Sequence, residues 1–315
     1  MALNPQSRFV LFVGGVGGAK LAYGMAQLLP PERLTVIVNI GDDFWHLGLR
    51  ICPDSDTVMY TLAGMVDPVN GWGLAEDSTR MLDSLRRLGG ESWFRLGDLD
   101  VATHLHRSHL LRTGVRQTEI TAGLCRSLRV NHPLLPVSDG EIPTIVDTAE
   151  YGEIAFQEYF VRHRWQPTLR GLRFQNAQQS AITPEVEAAL ASADAIVFAP
   201  SNPWLSIAPM LAVGDLRDRL LSLDVPRIAV TPILGGQAVK GPAAKLMGEL
   251  GLTVSAEAVA DYYGQLLNGF IDDVRNPLFK RDGLRISQFD TLMTDDTARV
   301  RLSRDILNAL ESWME

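Results

Sequence analysis

The stretch that decides the fold is "RFVLFVGGVGGAKLAYGMAQLLP", residues 8–30. It opens with an apolar run typical of a buried strand and continues with glycines at positions 14, 15, 17 and 18. A helical pattern follows and stops at Pro30, which gives the order strand, glycine-rich turn, helix. The next apolar run, "RLTVIVNIGDD" at 33–43, predicts a second strand, so that residues 8–43 form a βαβ unit.

Strand-like runs of the same buried type return in "ADAIVFAPSNP" (193–203) and "PRIAVTPILGG" (226–236). We therefore expect one α/β domain over residues 1–315. Its core is predicted to be a Rossmann-like, mostly parallel sheet with helices on both faces. Residues 58–130 show helical patterns and few strand patterns, which predicts a largely helical insertion or cap within that domain.

Two further segments have patterns of their own. "EIPTIVDTAEYGEIAFQEYFVRHRW" (141–165) alternates apolar and polar residues, as a β-hairpin does. Residues 295–315 have the periodicity of an amphipathic helix that closes the chain.

The composition is that of a globular protein with an acidic surplus. Hydrophobic residues make up 46% of the 315 residues, charged residues make up 21%, and the net charge is −8. That surplus argues against nucleic-acid or anionic-membrane binding, and no apolar segment reaches the length of a membrane helix. Cys52 and Cys125 provide no disulfide framework and are expected in the core. We expect a cytoplasmic protein that binds small molecules.

Four loops that follow strand-like runs carry polar or glycine-rich sequence: 14–20, 39–43, 200–203 and 231–236. Ligands of open α/β sheets bind at the carboxyl ends of the strands, so we expect these loops to converge on one ligand. Glycine amides at a helix N-terminus are suited to phosphate groups.

The expected contacts to a nucleotide or its phosphates are Gly14, Gly15, Gly17, Gly18, Lys20, Asn39, Ser201, Asn202, Gly235 and Gly236. Each loop also has a purely structural explanation. The glycines could form a tight strand-to-helix turn, and Ser201 with Asn202 could form an ordinary Asx or Ser turn. The segment around Lys240 could be a surface loop.

Four aspartates lie within "VNIGDDFWHLGLRICPDSDTVMY", residues 38–60. Asp42 and Asp43 are adjacent at a strand end and repel each other unless a cation or hydrogen-bond donors compensate. Asp54 and Asp56 precede an apolar helical pattern, where capping of the helix is a strong alternative explanation. Carboxylates on neighbouring loops suit Mg²⁺, so we predict a Mg²⁺ site from Asp43 and Asp56, with Asp42 as a third ligand.

The segment "ESWFRLGDLDVATHLHR" (91–107) combines aromatic, cationic and acidic groups. We expect Trp93 or Phe94 to stack on a flat ligand, and Arg95 and Asp98 to bond its polar edge.

The histidines of this segment do not suggest a metal site. His104 and His106 lie two residues apart and would face different sides of a helix, so we expect surface or helper roles. No Gly-x-Ser-x-Gly elbow and no Cys–His nucleophile signature is present in the sequence.

Several blocks occur in an order that is specific. They are "GGVGGAKLAYG", "VNIGDDFWHLGLRICPDSDTVMYTLAG", "WFRLGDLDVATHLHR", "FQEYFVR", "PSNPWLSIAP" and "GGQAVKGPAAKLM". Together they resemble the 2-phospho-L-lactate transferase family, the CofD-like enzymes of coenzyme F420 biosynthesis, over residues 9–270. The glycine-rich block alone would not carry that resemblance.

The resemblance implies an enzyme that moves a phospho-acid group from a guanylylated donor, such as lactyl-2-diphospho-5′-guanosine, to the ribityl hydroxyl of the deazaflavin Fo. GMP is the other product, and Mg²⁺ is required. The family's deazaflavin contacts fall on Asp56 and Arg95, and the catalytic pair is expected to be Asp43 and Asp56. A homodimer is expected on the same resemblance.

Some positions depart from the family's usual pattern. Ser55 stands where leucine is common, Leu99 stands where arginine is common, and "VSDGEI" replaces a segment that begins with paired aspartates. We expect Leu99 and residues 138–141 to border the acid part of the donor. Phospholactate, phosphoenolpyruvate and 3-phosphoglycerate all remain open, because they differ by little more than a hydroxyl or a double bond.

Three rival interpretations compete with this one. A non-catalytic regulator that binds nucleotide sugars would share the glycine-rich start and the sheet-edge loops. A Rossmann oxidoreductase is disfavoured because the second strand ends in Asn39-Ile40-Gly41 rather than in an acidic ribose ligand. A scaffold protein would leave four chemically distinctive loops without a role.

Overall fold

The computed structural model describes residues 6–238 and 243–314. Its strands are β1 (Phe9–Val13), β2 (Leu34–Val38), β3 (Phe44–His46), β4 (Leu49–Ile51), β5 (Leu134–Pro136), β6 (Thr144–Thr148), β7 (Gly152–Ala155), β8 (Leu169–Phe174), β9 (Ala195–Phe198), β10 (Arg227–Val230), β11 (Ile233–Leu234), β12 (Gln237–Ala238), β13 (Gly269–Asp273) and β14 (Arg285–Phe289).

The α-helices of the described ranges are α1 (Gly15–Ala26), α2 (Pro53–Leu62), α3 (Arg80–Arg87), α4 (Asp98–Arg112), α5 (Gln117–Ser127), α6 (Pro184–Ala191), α7 (Ala208–Leu211), α8 (Leu216–Ser222), α9 (Ala243–Glu249), α10 (Ala256–Tyr263) and α11 (Asp296–Met314). None of them, within those ranges, has both the length and the apolar character that crossing a membrane requires.

Seven parallel strands of the described chain form the central sheet, in the order β14-β13-β10-β9-β1-β2-β5. The chain runs outward from β1 through β2 to β5, and later returns to the other side of β1 at β9. The strand order therefore reverses between β1 and β9. Ligands of open α/β sheets bind at such a reversal, outside the carboxyl ends of the strands.

Alternating side chains of the sheet divide the core in two. In β1, Leu11 and Val13 pack on one face against α1, α2 and α11, whereas Val10 and Phe12 pack on the other face. That second face is covered by α6, α7, α8 and α10 and by a small antiparallel sheet with the order β7-β6-β8. Both faces of the strands are buried, which explains their continuous apolar runs.

The predicted fold class, a Rossmann-like α/β sheet with helices on both faces, is confirmed. The β6–β7 hairpin lies within the predicted hairpin segment 141–165, although residues 158–162 of that segment form a short π-helical turn instead. Helix α11 lies where an amphipathic closing helix was predicted. Residues 58–130 contain the second half of α2 and all of α3, α4 and α5. Strands β13 and β14 and the β3–β4 hairpin were not predicted.

Helices α1 and α11 pack closely because Gly24 presents no side chain to its neighbour. A Cβ atom at this position would overlap the carbonyl oxygen of Arg299 and the hydroxyl of Ser303. The close approach fixes α1, and with it the glycine-rich turn at its start.

Replacing Gly24 with alanine is expected to lower the free energy of unfolding by about 1–3 kcal/mol, because the backbone of α11 must move away. Urea unfolding followed by circular dichroism measures the change. The matched control is Gly123→Ala in helix α5, where a Cβ atom would meet nothing closer than 3.8 Å. That variant should gain roughly 0.5–1 kcal/mol from helix propensity. Equal destabilisation of both variants would contradict the packing argument.

Candidate active site

The loops after β1 and β9 are joined across the reversal point by one hydroxyl group. The backbone amide of Gly14 donates to Ser201 Oγ at 3.0 Å, and the same hydroxyl donates to the carbonyl oxygen of Gly14 at 3.0 Å. Ser201 is buried. Its hydroxyl therefore holds the two walls of the crevice together, instead of being free for a phosphate as the sequence predicted.

The glycine-rich turn is required by close packing at three of its positions. A Cβ atom on Gly17 would lie 2.6 Å from the carbonyl oxygen of Pro200, one on Gly18 would lie 2.7 Å from Ser201 Oγ, and one on Gly14 would overlap the Cβ atom of Ser206. Gly14 and Gly15 also lie against the carboxylate of Asp54. The N-terminus of α1, which favours an anion, thus has a carboxylate beside it.

Two other predicted phosphate contacts have structural partners. The side chain of Asn202 accepts hydrogen bonds from the amides of Trp204 and Leu205 and so caps a short helical turn. Lys20 Nζ donates to the carbonyl oxygen of Met293 at 2.8 Å. Both side chains hold neighbouring segments in place around the crevice.

Gly235 and Gly236 form the turn of the β11–β12 hairpin, with φ angles of 56° and 75° that favour glycine. The hairpin is anchored by Asn276, which donates to the carbonyl oxygen of Ile233 at 2.7 Å. Lys240, noted in the sequence beside these glycines, lies outside the described residues.

Asn39 holds two acidic side chains at the end of β2. Its Nδ2 group donates to Asp42 Oδ1 at 3.2 Å and to Asp54 Oδ2 at 2.9 Å, and its Oδ1 accepts the amide of Gly41. Burial raises the pKa of Asp54 to about 6, opposed by hydrogen bonds from Asn39 and Gly15. Burial and the charge of Asp54 raise the pKa of Asp42 well above its usual value. The neutral amides of Asn39 and Gly15 are a weak compensation for these two carboxylates.

Asp43 is the least satisfied carboxylate of the crevice. It is buried, and neither of its oxygens accepts a hydrogen bond from a nitrogen or oxygen donor of the described chain. The nearest cation is Arg50, whose Nη2 lies 3.6 Å from Asp43 Oδ2. Burial raises the pKa of Asp43 to about 7, while Arg50 and the Cys52 thiol oppose that shift and the charge of Asp56 adds to it. The charge of Asp56 therefore acts on Asp43, and the Mg²⁺ site predicted from these two residues stays a prediction.

Asp56, in the first turn of α2, is held by a buried ionic network. Arg107 donates from both Nη groups to its two carboxylate oxygens. His104 Nδ1 lies 3.6 Å from Asp56, and His104 Nε2 lies 3.2 Å from Asp100, which also accepts the hydroxyl of Tyr60 at 2.7 Å. His104 is almost fully buried, so a surface position for it is wrong.

The ligand atoms of Asp56, Asp100 and His104 lie within 4.8 Å of one another, a spacing that could hold a metal ion. Arg107 donates to Asp56 and lies 3.2 Å from His104 Nδ1. A guanidinium already compensates these groups, so we interpret them as an ion-pair network that orients Asp56.

The predicted stacking residues lie in an aromatic cluster beside Asp43. The rings of Phe44, His46, Trp93 and Phe94 have centroid separations of 4.9–6.1 Å. Trp93 Nε1 is buried and has no hydrogen-bond partner among the described residues. The cluster places an aromatic surface next to the acidic crevice.

Arg95 and Asp98 are turned to other partners. Arg95 is exposed, lies 5.7 Å above the ring of Trp72, and lines a surface pocket together with Asp100. Asp98 accepts hydrogen bonds from the hydroxyl of Ser78 and the amide of Met81, at the start of α3. The structure therefore does not bring Asp98 to the crevice as a free polar group.

The structure thus brings Asn39, Asp42 and Asp54 together at the start of the glycine-rich turn, and it places Asp43 within electrostatic range of Asp56. Sequence reasoning missed the side chains that complete the site, which are Asp54, Arg50, His104 and Arg107. Asp54 was interpreted as a helix cap. His104 and Arg107 lie three residues apart on one face of α4, and that spacing was the available signal.

Fold and site define an α/β protein with an acidic, glycine-lined crevice where its strand order reverses. The family model described as "2-phospho-L-lactate transferase CofD" matches residues 9–284. The chain belongs to this family of transferases, and the predicted enzyme class is confirmed.

Related sequences align with this chain over most of its length. A 2-phospho-L-lactate transferase of Methanosarcina mazei is 36% identical, covering 95% of this chain and 99% of its own length. A phosphoenolpyruvate transferase of Streptomyces griseus is 37% identical, covering 96% and 98%. A phosphoenolpyruvate transferase of Mycobacterium avium is 40% identical, covering 82% and 84%.

A solved structure shares the fold. The crystal structure of a upf0052 family protein from Bacillus halodurans superimposes with a TM-score of 0.62 and 14% identity, covering 96% of this chain and 99% of that protein. At this identity the likeness concerns the fold alone.

Replacing Arg107 with methionine is expected to lower the free energy of unfolding by about 3–5 kcal/mol, because Asp56 is left buried without its cation. The matched control is Arg173→Met, since Arg173 also forms a two-armed pair with Glu153, but both side chains are about half exposed. That control should cost less than about 1 kcal/mol. Urea unfolding of both variants measures the difference, and similar losses would show that burial of Asp56 is not the cause.

Proposed function

We propose that the chain transfers a phospho-acid group from a guanylylated donor, such as lactyl-2-diphospho-5′-guanosine, to the deazaflavin Fo in coenzyme F420 biosynthesis. The primary ribityl hydroxyl of Fo attacks the phosphorus that bears the acid. Its proton passes to a carboxylate of the site, and the bond to GMP breaks so that GMP leaves with the bridging oxygen. The observation that carries the proposal is the unsatisfied, buried Asp43 beside an arginine-held Asp56 at the strand reversal.

The donor set of the crevice fits a Mg²⁺ ion. Asp43 offers two oxygens without nitrogen or oxygen donors, and Asp42 shares a single amide with Asp54. Hard carboxylate oxygens, few in number and close to a phosphate site, are what Mg²⁺ takes in proteins. We place the ion on Asp43 and Asp42. When bound, it would neutralise charge that develops on the transferred phosphoryl oxygens.

Asp56 has a different place in this proposal from the one that the sequence suggested. Both of its oxygens already accept hydrogen bonds from Arg107, which leaves it poorly suited as a metal ligand. A carboxylate fixed in this way is well suited to accept a hydrogen bond from the acceptor hydroxyl and to orient it. We therefore assign Asp56 to the Fo hydroxyl and Asp43 to the metal.

The remaining contacts follow from the walls of the crevice. The N-terminus of α1, at Gly14 and Gly15, faces the GMP phosphate once a cation offsets the charge of Asp54. The aromatic cluster around Trp93 provides a stacking surface for the deazaflavin ring. Arg95 would contact the same ligand, as the family resemblance implies.

The names of the relatives favour an enzyme over the rival binding regulator. Those relatives include both 2-phospho-L-lactate transferases and phosphoenolpyruvate transferases at 34–40% identity. Overall sequence identity therefore does not distinguish whether the donor carries phospholactate, phosphoenolpyruvate or 3-phosphoglycerate. A homodimer stays a prediction from the resemblance.

The direct test mixes the protein with Fo, Mg²⁺ and each guanylylated acid in turn, and follows GMP and the Fo adduct by mass spectrometry. We expect both products in equal amounts with at least one donor, and their loss when Mg²⁺ is chelated. GMP without the adduct would indicate hydrolysis, and neither product with any donor would refute the proposed transfer.

Asp43→Asn is expected to lower kcat by at least about 1,000-fold, because an amide replaces the least compensated carboxylate of the site. The free energy of unfolding should stay the same or rise, since the variant removes a buried, poorly paired charge. The matched control is Asp261→Asn, a side chain that is largely exposed and pairs with Arg281. It should keep full activity. Near-normal turnover by Asp43→Asn would exclude the assigned role.

A further inference from the structure

A carboxylate is already bound at one side of the crevice, and it belongs to the protein. The indole Nε1 of Trp45 donates to Glu141 Oε1 at 2.8 Å, and Arg50 Nη1 lies 3.4 Å from the same oxygen. The side chain of Glu141 is 54% exposed, whereas that of Arg50 is 7% exposed. An exposed acidic side chain thus enters a site whose cation is buried.

The Arg50 guanidinium is poorly satisfied where it lies. Its separations from Asp43 and Glu141, 3.6 Å and 3.4 Å, exceed the roughly 2.7–2.9 Å of a charge-assisted hydrogen bond. The hydrogen bonds that Arg50 makes within the described residues come from its backbone, and its guanidinium lies 5.9 Å from the ring centroid of Trp45. The five N–H donors of the guanidinium can therefore serve a carboxylate ligand.

The backbone holds Arg50 firmly in this position. Arg50 is paired with Trp45 across the β3–β4 hairpin. Its amide donates to Ser108 Oγ at 2.7 Å, and its carbonyl oxygen accepts from Arg107 Nη1. The main chain is therefore anchored to α4, while the charged end of the side chain is left between Asp43 and Glu141.

We propose that Arg50 and the indole N–H of Trp45 form the subsite for the carboxylate of the phospho-acid, and that Glu141 occupies this subsite when no donor is bound. The inference rests on the proposed function, in which every candidate acid carries a carboxylate, bonded to the ester carbon in phospholactate and phosphoenolpyruvate and one carbon further away in 3-phosphoglycerate. Arg50 lies between Asp43, assigned to the metal, and the carboxylate position now held by Glu141. A planar fork of N–H donors matches a carboxylate.

Displacement of Glu141 is inexpensive, because an ion pair with an exposed partner contributes little to stability. Residues 138–141 were expected to border the acid on sequence grounds. The subsite explains how this segment would act on the acid. Glu141 competes with the carboxylate of the acid for the N–H groups of Trp45 and Arg50.

The test compares two donors that differ only in the carboxylate: lactyl-2-diphospho-5′-guanosine and the ethyl ester of GDP. Their dissociation constants are measured by calorimetry with Mg²⁺ and without Fo. The wild-type chain is expected to bind the carboxylated donor about 100-fold more tightly, because the ester leaves Arg50 unpaired. Arg50→Gln should reduce that preference to less than about threefold; because the preference is the ratio of two affinities in one variant, an effect of Arg50 on both donors through Asp43 cancels.

Glu141→Gln should act in the opposite direction. Removal of the competing charge is expected to tighten binding of the carboxylated donor by about two- to fivefold and to leave the ester unaffected. The matched control is Arg112→Gln, since Arg112 also lies over the ring of Trp45, at 5.9 Å, but is exposed and donates to the carbonyl oxygen of Gly48. The control should keep the full preference.

The outcomes separate this inference from the proposed transfer. Equal affinity of the wild-type chain for both donors, or a preference that survives Arg50→Gln, overturns the subsite even if turnover with Fo is normal. Weaker binding of the carboxylated donor by Glu141→Gln overturns the competition. A preference that depends on Arg50, without GMP release in the presence of Fo, supports the subsite and refutes the transfer.

Discussion

The rest of the site depends on one constraint, the cost of burying carboxylates at the carboxyl edge of a parallel sheet. Asp42, Asp43, Asp54 and Asp56 are all desolvated there, and a buried carboxylate is stable only with a partner or with a raised pKa. Their compensation is graded. Asp56 has a full guanidinium fork, Asp42 and Asp54 share one amide, and Asp43 has a cation at 3.6 Å. Asp43 is therefore the carboxylate that a bound cation would stabilise most.

The helical segment between β2 and β5 provides charge as well as cover. Helix α4 carries Arg107 and His104 to Asp56, and Ser108 of the same helix anchors the backbone of Arg50. The β3–β4 hairpin and α4 thus act together: one supplies the cation near Asp43, and the other fixes where that cation lies.

The sheet was predictable because buried parallel strands and a glycine-rich turn leave strong local patterns, and the convergence of loops follows from strand direction. The partner of each loop residue was not predictable. Ser201 and Asn202 looked like ligand donors, but their bonds to Gly14 and to the amides of Trp204 and Leu205 depend on packing between distant segments. Arg107 is 51 residues from Asp56, and no local pattern reveals such a pair. Short edge elements such as β3 and β4 have too few residues for a periodic signal.

Charge balance also constrains how the crevice could work. The proposed donor and product are anionic, yet the aspartates of the crevice outnumber the two arginines, Arg50 and Arg107, that face them. Anionic phosphates would be repelled from such a surface unless a cation entered with them. Asp54 lies beside the N-terminus of α1. The positive end of this helix stabilises the Asp54 carboxylate, which has no arginine partner among the described residues. A divalent ion on Asp43 and Asp42 would free that helix end for a phosphate, so metal and donor binding should be cooperative rather than independent.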